Sequence, residues 1–149
     1  MKFGEAIDSA LFKNYFNLEG KATRSEYWWF ILFFIIFNVF AGIIVGIVLA
    51  ITLGVDLNPD TFNLYYTLGI LALFILPLLG LSVRRFADAG RGRREAIMVF
   101  VLAIISQLIV PMGAQGAIIQ VAEFLIMPAW LVFGASSLYT IYIALKKSV

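Results

Sequence analysis

The stretch Val83 to Glu95, VRRFADAGRGRRE, holds five of the chain's eleven Lys and Arg residues and lies between two long apolar runs. A basic block hemmed in by such runs reads as a short cytoplasmic loop of a membrane protein, because Lys and Arg accumulate in the loops that stay inside. With that loop placed, every other segment takes a side. Four Lys and Arg precede the first apolar run, none falls in the first outer loop, none in the second outer turn, and two close the chain. The alternation has no exception. It predicts an all-α membrane protein with four transmembrane helices and both termini inside.

Composition agrees. Only 13% of the 149 residues are charged, against about 25% in soluble domains, and the mean hydropathy is +0.98. The net charge of +2 is no argument for a nucleic-acid partner, since the basic residues sit at predicted membrane ends. The chain has neither Cys nor His. Thiolate nucleophiles, imidazole bases, disulfides and the usual zinc ligand sets are therefore excluded. The sequence predicts no metal and no cofactor. The first apolar run starts late and is too long for the core of a cleaved signal, which is about 7–15 residues.

In chain order, residues 1–26 form a cytoplasmic segment. Within it, residues 2–11 predict a short amphipathic helix ending near Lys13, with Phe3, Ala6, Ile7, Ala10 and Leu11 on one face and Lys2, Glu5, Asp8 and Ser9 on the other. It lies either on the membrane surface or against the rest of the protein. Thr23 and Glu26 have the spacing of a capping box, and Tyr27, Trp28 and Trp29 read as an interfacial aromatic belt. The first span covers 27–54. Along it Asn38, Gly42, Gly46, Ala50 and Gly54 recur every four residues, a small-residue stripe for close helix packing, within the chain or across a dimer.

The loop 55–63 is acidic. Asp56, Asn58 and Asp60 begin like a calcium loop, but Pro59 and the missing glycine and glutamate make it a plain acidic turn. The second span covers 64–83, and Pro77 inside it must free a carbonyl that something else satisfies. The basic loop follows at 84–95, then a third span at 96–112 that Pro111 is expected to end. A fourth covers 123–145, with a tail at 146–149. Glu123 either starts the last crossing at the outer interface or lies buried as a proton or cation site.

Two inner stretches carry a likeness. Gly20-Lys21-Ala22-Thr23-Arg24-Ser25-Glu26-Tyr27-Trp28-Trp29 and Arg84-Arg85-Phe86-Ala87-Asp88-Ala89-Gly90-Arg91 resemble the two signatures of a small bacterial inner-membrane family, domain of unknown function 805. Lys21 stands where the family usually has Arg. Phe86-Ala87 replaces a usual Leu-His pair, and Arg93-Arg94-Glu95 replaces a more apolar stretch. The resemblance implies a bacterial inner-membrane location and no particular activity.

The residues themselves suggest a site. Arg24 and Glu26 at the inner end of the first span should meet Arg84, Arg85, Asp88 and Arg91 at the inner end of the second. Arg84 and Asp88 have i,i+4 spacing if the helix continues. One reading is a structural clasp of Arg–carboxylate pairs. The other is a site for anionic lipid headgroups or phosphate. No nucleophile–base arrangement accompanies the charges, so the sequence predicts no enzyme. The expected role is a non-enzymatic accessory or interaction protein whose partners are membrane lipids. The rival is a subunit of an oligomeric transporter or channel, with Asn38, Gln107, Gln120 and Glu123 along its path.

Overall fold

The computed structural model describes residues 1–53, 59–114 and 119–148, with side chains except those of 53, 59–61, 64, 109–114 and 119–127. The expectations for Gly54, Asp56 and Asn58, and for the side chains of Asp60, Gln120 and Glu123, lie outside the described residues. Five helices follow in order: α1 (Phe3–Asp8), α2 (Arg24–Leu53), α3 (Pro59–Asp88), α4 (Arg93–Ala114) and α5 (Ile119–Leu145). A single π turn, Ser9–Lys13, extends α1. Among the described residues there is no strand.

Among the described residues, three stretches are long and apolar enough to cross a membrane: Arg24–Thr52, Tyr65–Asp88 and Pro128–Leu145. At 1.5 Å per residue, α2 and α3 are each about 45 Å long. That exceeds the roughly 30 Å hydrocarbon core, so their ends reach into the headgroup zone when they cross. Large apolar side chains stand exposed along α2 away from its contact with α3, among them Ile35, Phe40, Ile44 and Ile51. A helix that is apolar on every side suits lipid rather than water.

The helices pack in sequence, α2 on α3, α3 on α4 and α4 on α5, with α5 also touching α2 and α3. Two cores hold them. Between α2 and α3, Phe34 and Phe37 each place their ring centroid 5.1 Å from that of Phe74, with buried Phe30 and Leu81 beside them. Between α3, α4 and α5, the buried set is Val83, Phe86, Ala89, Ala96 and Ile143. Two glycines of the small-residue stripe face α3 within the chain. A methyl group on Gly42 would meet the Tyr66 hydroxyl at 3.5 Å, and one on Gly46 would meet the Phe62 ring at 3.9 Å. Ala50, next in the stripe, is exposed.

Several boundaries differ from expectation. Two thirds of the expected loop 84–95 is helical: α3 runs to Asp88, past the expected end at Val83, and α4 begins at Arg93. It stops only where glycine permits it. Gly90 takes φ +74°, and the N–H groups of Arg91 and Gly90 return to the carbonyls of Phe86 (2.8 Å) and Ala87 (3.1 Å). That paired return is a Schellman stop, which requires a left-handed residue at this point. The turn between α3 and α4 is therefore 89–92, not 84–95. α4 continues past Pro111 to Ala114, since a proline in a last turn removes only one backbone donor. α5 starts at Ile119, so Glu123 is not in its first turn.

The N-terminal segment also departs from the expected amphipathic pattern. Its buried stripe is Ala6, Ser9 and Ala10, while Phe3 is exposed. Small side chains let α1 sit close on α2, and Ser9 turns inward because a buried carboxylate there needs a donor. The turn after Asp8 is wide: the Asn14 N–H bonds the Ser9 carbonyl at 2.8 Å, an i to i−5 bond. Lys13 pairs with Asp8 at 2.6 Å on the surface, and that hydrogen bond and charge raise the lysine pKa.

Candidate functional site

Consecutive helical residues point about 100° apart, so Arg84 and Arg85 face different neighbours. Arg84 turns to α2. Its Nη1 donates to Oε1 of Glu26 at 3.0 Å, with both side chains 5% exposed. The same oxygen accepts the Ser9 hydroxyl at 2.9 Å, and Asn14 donates its amide to Ser9 at 3.1 Å. Glu26 is thus held by α3 and by the N-terminal segment together. Thr23 caps α2 by accepting the Glu26 N–H at 3.2 Å. The reciprocal half of the expected capping box is replaced, because the Glu26 carboxylate is committed to Arg84 and Ser9.

Arg85, 1% exposed, turns to α5. It pairs with Asp88, whose carboxylate also accepts the Ser148 hydroxyl at 2.6 Å. Its Nη2 donates to the carbonyls of Ile143 (3.3 Å), Ala144 (3.1 Å) and Lys146. Arg24 adds a bond from its Nε to the Lys146 carbonyl at 2.9 Å. The last carbonyls of a helix lack intrahelical donors and carry the negative end of its dipole. Two guanidiniums from other helices fill that need here. The expected i,i+4 pair of Arg84 with Asp88 does not form. Asp88 takes Arg85 three residues back, which leaves Arg84 for Glu26.

The site is therefore a buried polar junction of three helix ends. Of the residues singled out in the sequence, Arg24, Glu26, Arg84, Arg85 and Asp88 meet there. Arg91 does not. It lies across the 89–92 turn, 3.7 Å from Glu95 in an exposed pair, and Glu95 in turn accepts the Tyr139 hydroxyl. Arg93, Arg94 and Lys147 are exposed on the same end. Three buried nitrogens, Arg84 Nε and Nη2 and Arg85 Nε, have no acceptor among the described residues. Arg84 thus depends on Glu26 for its side-chain pairing. No group of three potential metal ligands exists among the described residues.

Within the spans, Asn38 and Tyr66 are bonded locally. Asn38 donates to the Phe34 carbonyl of its own helix at 2.8 Å, and Tyr66 donates to the Asn38 carbonyl at 2.6 Å, tying α3 to α2. Together with Gln107 and Thr67 they edge a cavity of about 350 Å³ whose remaining walls are apolar, among them Phe34, Phe74, Phe100 and Phe133.

Sequence reasoning missed Ser9, Asn14, Tyr15 and Ser148. Tyr15 had a partial signal. Pro77 has no N–H for the carbonyl of residue 73, and the Tyr15 hydroxyl donates to the Leu73 carbonyl at 3.0 Å. The sequence announces the free carbonyl but not its donor.

Apolar helices of spanning length, joined at one end by a buried charge junction, define an α-helical membrane protein. The family model described as "Protein of unknown function (DUF805)" matches residues 15–145, and the chain belongs to that family. Comparison with curated proteins and with solved structures finds no match.

Proposed function

We propose that this chain is a non-enzymatic accessory or interaction protein of the bacterial inner membrane, crossing it four times with both termini and the 89–92 turn in the cytoplasm. The fourth crossing is α4, whose 22 residues reach about 33 Å. The observation that carries the reading is the division of labour among the arginines. Arg84 and Arg85 are buried in ion pairs and helix capping, so they act as a clasp. Arg91, Arg93, Arg94 and Lys147 stay exposed at the same end, where they meet anionic headgroups. Each cation near an anionic surface contributes about 1 kcal/mol, enough for four to bias the surrounding lipid. The clasp keeps that rim rigid, and a rigid cationic face suits a protein that docks others at the membrane.

Native mass spectrometry of protein released from nanodiscs tests this. Retained phosphatidylglycerol should exceed retained phosphatidylcholine, and Arg91→Ala/Arg93→Ala/Arg94→Ala should abolish the preference while leaving the melting temperature unchanged. A bare monomer, or equal retention of the two lipids, would contradict the lipid-contacting role.

A further inference from the structure

The N-terminal segment is placed alongside the membrane-crossing part of α3 rather than above it. The Leu73 carbonyl that receives the Tyr15 hydroxyl lies about 16 Å further along α3 than Arg84. The Asn17 carbonyl lies 3.1 Å from where a Cβ on Gly80 would stand, so the chain backbone presses directly on the helix there. Both contacts fall within Tyr65–Asp88, a stretch apolar enough to cross a membrane. The π turn and the residues after it then send two aromatic side chains outward: Phe12, in the turn, is 77% exposed and Phe16, just beyond it, 57%. Trp28 and Trp29 on α2 are exposed as well, and Trp29 makes an edge contact with Phe3. Of the segment's polar groups, Ser9 and Asn14 turn inward to Glu26, and Lys13 is neutralised by Asp8 in an exposed pair.

We propose that residues 12–16 form a membrane wedge, with the Phe12 and Phe16 rings immersed among acyl chains of the leaflet at the charged end of the protein. The occupant of this apolar face is the bilayer itself, because the face stands beside a spanning helix at a depth where hydrocarbon surrounds that helix. Immersion of these rings holds the segment down, and through Ser9 and Asn14 it holds Glu26 in place. The wedge goes beyond headgroup contact and needs no anionic lipid.

The chain has no native cysteine, so single spin labels at Phe12→Cys and Phe16→Cys, in nanodiscs, report depth directly. Collisions with oxygen should exceed those with a water-soluble nickel chelate at both sites, and Gly92→Cys should show the reverse. The result should be the same in pure phosphatidylcholine and in discs containing phosphatidylglycerol, whereas the cationic rim predicts a difference only for retained headgroups. Nickel collisions dominating at both sites, or immersion only in anionic discs, overturns the wedge. Because the label replaces the ring, Phe16→Trp supplies a second reading: brominated acyl chains should quench the added emission, and emission that they leave unquenched overturns the proposal as well.

Discussion

Replacing Glu26 with Gln keeps the shape of the clasp and removes its charge. Arg84 is then left buried with its positive charge uncompensated, since Nε and Nη2 have no acceptor and Nη1 has only Glu26. Removing one partner of a buried ion pair costs about 3–5 kcal/mol. For chains of about this length each kcal/mol moves the melting temperature by roughly 2–4 °C, so Glu26→Gln should melt about 6–20 °C lower. Gln still offers an oxygen to Arg84 and Ser9, which favours the lower half of that range. Tryptophan emission is a suitable readout in detergent, because Trp28 and Trp29 lie two and three residues after Glu26 on α2. The double variant Glu26→Gln/Arg84→Met removes the stranded charge. It should recover much of the loss, since a buried pair exchanged for neutral groups of similar volume is often neutral in stability. Melting of Glu26→Gln within about 2 °C of wild type, or a double variant that costs the full sum of the singles, would refute the argument.

Two further substitutions probe the neighbouring contacts. Arg85→Lys keeps a charge beside Asp88 but loses the planar fork that reaches two α5 carbonyls and that of Lys146 just beyond the helix. It should destabilise by about 2 kcal/mol and speed amide exchange in the last turn of α5; unchanged exchange there would argue against capping from α3. Gly80→Ala adds a methyl 3.1 Å from the Asn17 carbonyl. In an open helix that change gains up to about 1 kcal/mol. Here it should lower the melting temperature and make residues 14–21 easier to proteolyse, and a stabilised, equally resistant variant would show that the segment does not press on α3.

The fold was largely legible because its signals are long. Apolar runs of spanning length need no tertiary information, and both family signatures sit at helix ends where the structure has its junction. Finer detail failed where one signal masked another. Arg84 to Asp88 read as loop because of their charge, yet nothing in those residues breaks a helix before Gly90. The presence of Arg84, Arg85 and Asp88 in one cluster followed from composition. Which arginine took which carboxylate depended on helix phase, and a continuation of five residues decides that. Ser9 and Ser148 could not be found at all, because a serine hydroxyl facing a carboxylate leaves no pattern in a single sequence. Tyr15 lay between these cases, with Pro77 announcing a need that only the folded chain shows how to meet.

The central claim is that the ends of α2, α3 and α5 meet at one face of the membrane, the cytoplasmic one. Gly92 lies in the exposed turn beside that junction, with open space where a side chain would go. Labelling of Gly92→Cys by a membrane-impermeant maleimide tests the claim most directly. The label should be absent in intact spheroplasts and appear once the membrane is permeabilised. Labelling in intact spheroplasts would contradict the account.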